Sequence, residues 1–151
     1  MDDAEIPLRE LIAFQVGAQE FCIEIMAVRE LRGWTPATPL PHAPPYVCGV
    51  INLRGIVLPV IDTGRRLGLG ACEPGPRHVI IVANVEQRLV GLLVDGVSDI
   101  LKVADEDLQP TPAAAGEALR AFVTALLDVE GRMIGLLDLG RLLFTAQAEA
   151  A

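Results

Sequence analysis

Aliphatic side chains in this chain fall into short runs of five to seven residues bounded by turn signals. Eight runs have strand length: Leu11–Val16, Phe21–Ile25, Cys48–Leu53, Ile56–Ile61, Val79–Val85, Leu89–Val94, Ala121–Leu127 and Met133–Leu137. Most are rich in Val and Ile, which suit a pleated surface. Helical periodicity never lasts three turns. Met26–Leu31, Asp62–Leu67 and Asp138–Phe144 are the pieces that read as helical. In the last two an Asp stands where an N-cap carboxylate accepts the first free backbone N–H groups. The pattern predicts a mostly β protein.

Two hairpins are visible directly. Val50–Leu53 and Ile56–Leu58 flank Arg54-Gly55, and Leu126–Val129 and Arg132–Ile134 flank Glu130-Gly131. In each, Gly55 or Gly131 supplies the positive φ that a tight turn needs. The likeness extends into a repeat. Shifted by 76 positions, Gly55–Leu67 lies on Gly131–Leu143 with five of thirteen pairs identical, among them Asp62/Asp138 and Arg65/Arg141. A weaker echo at a shift of 69 lays Phe21–Leu31 on Val90–Ile100. The difference between the two shifts falls in the Pro/Ala-rich segment Gln109–Glu117, read as a longer loop. Two β units of about 60 residues follow, each with roughly five short strands, a hairpin and a one-turn helix, which points to small closed barrels. Barrels of that size cannot bury all these aliphatics alone, so a third apolar core shared between them is expected.

Composition narrows the classes. At 52% apolar over 151 residues, the chain is too hydrophobic for intrinsic disorder. No apolar run approaches the roughly 20 residues of a membrane-spanning helix. The acidic start MDDAEIPLRE lacks the basic region of a secretory signal, so a cytoplasmic module is expected. The net charge of −8, with Lys102 the one lysine, argues against nucleic acid. Cys22, Cys48 and Cys72 are odd in number and lack Cys-x-x-Cys spacing, which argues against a disulfide framework and a zinc site; Cys22 and Cys48 read as small buried residues.

Catalytic chemistry finds no support. His42 sits in a proline-rich loop and His78 opens a strand, neither with a partner at a recognisable spacing. Both read as exposed polar residues. Ser98, the sole serine, lacks the glycine pattern of a nucleophile elbow. The stretch Gly64–Gly70 has glycines and arginines but no phosphate-loop order, and Asp95/Asp99 and Asp105–Asp107 lack calcium-loop spacing. No cofactor or metal is expected. What remains is a binding module, or in second place a small-molecule-binding β-barrel. Within the repeat, Arg54 faces Glu130, a reversal of charge at equivalent hairpin tips. A residue with a shared structural duty would keep its charge, so Arg54 is the leading interface candidate. Val28 and Glu30, placed on a short helix opposite Val97 and Asp99, come next.

Three stretches carry a family resemblance. Ala43–Leu69 (APPYVCGVINLRGIVLPVIDTGRRLGL), Val90–Leu101 (VGLLVDGVSDIL) and Gly131–Leu143 (GRMIGLLDLGRLL) closely resemble CheW-like domains, in order and over nearly the whole chain. The resemblance implies two pseudo-symmetric five-stranded barrels of the Src-homology-3-like type around a joint apolar core, with short helices and no enzyme activity. It implies a single domain over 8–144, with the first barrel at roughly 19–70 and the second at roughly 77–143. Strand 11–16 is assigned to neither, and 1–7 and 145–151 are flexible tails. It further implies a cytoplasmic chemotaxis adaptor recruited to receptor arrays. The implied partners are the hairpin tip of chemoreceptors, the regulatory CheW-like domain of the chemotaxis histidine kinase, and other CheW-like modules in rings. An adaptor of another chemosensory pathway, such as pilus motility, stays open. Carried over by position, the interface residues are Val28, Glu30, Gly49, Arg54 and Val79; Gly55, Asp62, Gly131 and Asp138 are structural turns and caps.

Overall fold

The computed structural model describes residues 8–70, 73–112 and 116–143. Cys72, Phe144 and both expected tails lie outside the described residues. The strands are β1 (Leu8–Val16), β2 (Gln19–Glu24), β3 (Val28–Gly33), β4 (Val47–Leu53), β5 (Ile56–Asp62), β6 (Val79–Val85), β7 (Arg88–Val94), β8 (Gly96–Ala104), β9 (Gln109–Pro110), β10 (Val123–Val129) and β11 (Arg132–Leu137). Helix α1 (Thr63–Arg66) follows β5 and α2 (Glu117–Phe122) precedes β10. The fold is mostly β, as the run pattern predicts.

Local signals act as expected at the caps and turns. The Asp62 carboxylate accepts the Arg65 N–H at 3.2 Å, and Asp138 accepts that of Arg141 at 3.1 Å. Both central residues of each hairpin turn have positive φ: Arg54 at 51° and Gly55 at 89°, Glu130 at 53° and Gly131 at 86°. This is the geometry that matches strand twist in a two-residue loop. Asn52 Oδ1 and Asp128 Oδ1 hold the two turns by accepting from Gly55 N and Gly131 N at 2.8 and 3.0 Å.

The stretch Met26–Leu31, expected as a helix, is not one. Only Ile25–Ala27 makes a 3₁₀ turn, and Val28 opens β3. Alternating burial from Val28 to Gly33 and a ladder to β6 override the short helical spacing. Strand β8 arises in the equivalent place, in a segment too polar on its exposed face to stand out as an aliphatic run. Ala121–Leu127 likewise begins as the end of α2 and turns into strand at Val123.

Two sheets result, ordered β8-β1-β2-β11-β10-β9 and β3-β6-β7-β5-β4. They are not the stretches 19–70 and 77–143. Each sheet takes its first hairpin from one repeat and its remaining strands from the other: β2 pairs in parallel with β11, and β7 with β5. Strand β1 joins the sheet of β8 and β2. A physical reason lies in the hairpin itself. Leu11, Ile12, Ala13 and Phe14 are all buried, so β1 needs apolar cover on both faces. Its exchanged position provides that cover, with a barrel interior on one side and the joint core on the other.

The two sheets match in register. Leu136 opposite Cys22 corresponds to Val60 opposite Gly91, and Ile12 opposite Ile100 to Leu31 opposite Ile81. Even the irregularities coincide: the ladders skip Arg29 and Ser98 at equivalent places, and Cys48 and Thr124 at another pair. Three apolar cores form. Leu11, Cys22, Val103, Leu127 and Ile134 fill one barrel; Ile51, Leu58, Val60, Ile80 and Val82 fill the other. Ile12, Phe14, Ile81, Leu92, Phe122 and Leu142 belong to the joint core between them. Each fully buried Leu or Ile stabilises the fold by about 1.5–3 kcal/mol. The expected third core is present.

Candidate functional site

The site assembles at the open seam of the barrel built from β3–β7, where edge strands β3 and β4 are not hydrogen-bonded neighbours. Glu30 lies on β3 opposite Val82, and Arg32 opposite Ile80, so both share the face that lines this barrel. Arg54 projects from the β4–β5 turn. Its Nη2 donates to Glu30 Oε1 at 2.6 Å, and Arg32 Nη1 donates to Glu30 Oε2 at 3.1 Å. A carboxylate thus bridges two guanidinium groups across the seam. Hydrogen bonds from Arg54 and then Arg32 hold the Glu30 carboxyl below its ordinary pKa range.

Exposure divides the cluster. The Glu30 side chain is 26% accessible and that of Arg54 70%. Beside them in the chain, Leu31, Ile56 and Val57 are exposed. A cation with spare donors, fixed by an ion pair on an exposed turn, is the make-up of a protein-contact anchor.

The remaining predicted residues have separate settings. Val28 and Val79 occupy opposite ends of the β3–β6 ladder, facing Ala83 and Gly33, and both pack against the joint core. Gly49 is the third residue of β4 and lies under the Thr38 backbone, which bonds Val50 in both directions at 2.9 and 2.8 Å. A Cβ on Gly49 would stand 2.3 Å from the Thr38 carbonyl oxygen, so this glycine has a packing reason of its own. The structure joins Glu30 and Arg54, puts Val28 and Val79 on the other face of the ladder, and keeps Gly49 within the fold. Val28 and Glu30 sit on a strand, in place of the expected helix.

The other barrel shows what the charge reversal concealed. Asp99, the counterpart of Glu30, pairs with Arg132 Nη2 at 3.1 Å, and Arg132 Nη1 reaches Glu20 at 3.4 Å. Both barrels therefore keep an acid at this place, and each draws its cation from a different position of the equivalent hairpin. Arg54 has a structural partner after all. Arg32 and Arg132 were absent from the sequence-based set. Reading β3 as a strand would have put residues 30 and 32 on one face and exposed the role of Arg32.

His78 differs from its expectation as well. Its side chain is only 19% accessible; Nδ1 accepts the Gly75 N–H at 2.9 Å, and Nε2 lies 3.7 Å from Asp95 Oδ1. Burial pushes the Cys22 thiol up to about 12 and that of the half-buried Cys48 to about 11, so both are protonated, unreactive side chains. Among the described residues no group of His, Cys, Asp and Glu could hold a metal ion, and no helix is long and apolar enough to cross a membrane. The barrel interiors are filled mainly by buried aliphatic side chains.

Known proteins resemble this chain over most of its length. The family described as CheW-like domain matches residues 10–147. The chain is 63% identical over 143 residues to the chemotaxis protein CheW of Rhizobium meliloti strain 1021, covering 95% of this chain and 92% of that one. It is 36% identical over 135 residues to the chemotaxis protein CheW of Klebsiella aerogenes, covering 89% and 81%. Among solved structures it is similar to the scaffolding protein TtCheW of Thermoanaerobacter tengcongensis, with a TM-score of 0.80 at 26% identity over 87% and 90% of the two chains.

Proposed function

The chain belongs to the CheW-like domain family, and on that premise we propose that it is a chemotaxis coupling adaptor holding chemoreceptors and the chemotaxis histidine kinase in one assembly. Its partners are the helical hairpin tip of the receptors and the regulatory CheW-like domain of the kinase, with further CheW-like modules alternating in rings. It performs no reaction of its own, and it reaches the membrane only through the receptors it binds.

One observation carries the reading: an exposed Arg54 guanidinium, anchored by Glu30 across a barrel seam, on a turn followed by the exposed Ile56 and Val57. The ion pair fixes the arginine without satisfying all five of its donors, so a partner meets a pre-organised cation beside an apolar surface. Val28 and Val79 lie on the opposite face of the β3–β6 ladder, against the joint core, and mark a second face of the same strands for partner contact. Contacts of this kind are individually weak; an array of many copies supplies avidity. Receptor state then biases the kinase through the contacts each makes with the adaptor. Chemotaxis proteins among the relatives favour a chemotaxis adaptor over a small-molecule-binding barrel and over pilus motility.

The test is co-purification of the chain with a receptor cytoplasmic fragment and, separately, with the kinase regulatory domain. Arg54→Glu should weaken at least one of these by about 10- to 100-fold, the effect of a single anchor residue of ~1–3 kcal/mol. Unchanged capture of both partners by a folded Arg54→Glu chain removes Arg54 from the interface.

A further inference from the structure

One residue breaks the correspondence between the two repeats at the place where they meet. The shift of 76 that lays Asp62 on Asp138 also lays Tyr46 on Phe122 and Arg66 on Leu142. The frame around them is symmetric: the Tyr46 carbonyl accepts the Asp62 N–H at 2.7 Å, and the Phe122 carbonyl that of Asp138 at 2.8 Å. Into this frame Arg66 inserts a cation. Its guanidinium carbon lies 4.6 Å from the Tyr46 ring centroid and 4.5 Å from that of Phe122, between two rings supplied by the two repeats. Nε donates to the carbonyl of Leu142, its own counterpart, at 2.8 Å, while Nη2 is buried without a hydrogen-bond partner.

Stability alone is a poor account of this arrangement. At the equivalent position the fold accepts a fully buried leucine. A guanidinium with an unsatisfied buried donor is a costlier choice. It has one property a leucine lacks: a flat cation can slide between two ring faces without opening a cavity, and movement that gives Nη2 an acceptor would be favoured. Arg66 is thus a single side chain that touches both repeats at the joint between the barrels.

We propose that Arg66 is a positioning residue that sets the angle between the two barrels, so that a partner bound to one barrel alters the affinity of the other barrel for its own partner. This rests on the adaptor reading above. Coupling needs two sites and a two-state element that both can bias. In this proposal one partner contacts each barrel surface, and the Tyr46–Arg66–Phe122 stack is the element between them.

The experiment is calorimetric titration of the chain with a receptor cytoplasmic fragment, in the absence and presence of saturating kinase regulatory domain. The ratio of the two dissociation constants is the coupling factor. The parent chain should give a factor of about 5 or more, the lower end for coupled sites. Arg66→Leu should bring it below about 2 while each separate dissociation constant changes less than about threefold, and Arg66→Lys should fall between. A factor retained in Arg66→Leu, or a factor of one in the parent chain, overturns the inference while leaving the adaptor reading intact. Failure of the parent chain to bind either partner overturns both. Hydrogen exchange on the chain alone gives a second readout. Arg66→Leu should slow exchange at Asp62, Asp138 and Leu142 at least about tenfold and leave Leu92 and Ile134 unchanged, since local opening and global unfolding are separable. A uniform change, or none, contradicts a hinge at Arg66.

Discussion

Gly49→Ala separates packing from partner contact at a position that both claims share. A Cβ at Gly49 would lie 2.3 Å from the Thr38 carbonyl oxygen and 2.6 Å from its carbon, and both are backbone atoms that cannot rotate away. Thr38 must move, and it exchanges two hydrogen bonds with Val50. Losing both costs about 1–3 kcal/mol, and the displacement of packed neighbours adds about 1 kcal/mol or more. The φ of 147° at Gly49 adds to the strain. A smaller unfolded-state gain of about 0.4–1 kcal/mol offsets part of this. The net loss is about 2–4 kcal/mol, equivalent to a fall in Tm of roughly 5–15 °C for a domain of this size. Gly55→Ala is the control. Its φ of 89° is equally unwelcome to a side chain, yet no atom lies within 4 Å of the added carbon, so it should cost about 1–2 kcal/mol. Urea titration of both variants, with m unchanged, reads the difference directly. Equal losses in the two variants would refute the Thr38 contact as the reason for glycine at position 49.

Other perturbations follow from the same geometry. Gly55→Val should lower stability more than Gly55→Ala, since a β-branched residue tolerates positive φ worst; a melting temperature equal to the parent's contradicts the turn assignment. Arg54→Glu removes an exposed ion pair and sets two acids face to face, so its stability loss should stay within about 1 kcal/mol by urea titration; a loss of several kcal/mol would make Arg54 a structural residue first. The thiols give a pH dependence. Their folded-state pKa values lie above the ordinary 9.0, so the unfolded chain loses these protons first and stability falls as pH rises from about 9 toward 12. Cys22→Ala should flatten that slope in denaturation measured across this range, and an unaltered slope excludes Cys22 as a source.

Short-range features of the fold were legible because their physics is short-range. Asp62 and Asp138 announce caps, and the dipeptides at 54–55 and 130–131 announce turns, since each needs only neighbours within three residues. The exchange of hairpins between repeats was not legible. A repeat shows which strands are equivalent, while pairing β2 with β11 or β7 with β5 is decided by nonlocal burial of both faces of β1 and β6. At the candidate site, Arg54 stood out through its charge reversal against Glu130, but that comparison hid the ion pair to Glu30. Its cation has no counterpart at the same position in the other barrel, where Arg132 replaces it from two residues farther along the chain. Arg66 left no trace either: opposite Leu142 it reads as a variable helix position until Tyr46 and Phe122 are seen on its two faces.

The central claim is that this chain joins two partners that do not otherwise stay together. Kinase regulatory domain fixed to a surface, washed with receptor cytoplasmic fragment, measures it by the amount of fragment retained with and without the full chain. The account predicts retention only when the chain is present, and less of it with Arg54→Glu. Equal retention without the chain, or loss of kinase-domain binding to the chain whenever receptor fragment is added, would contradict it.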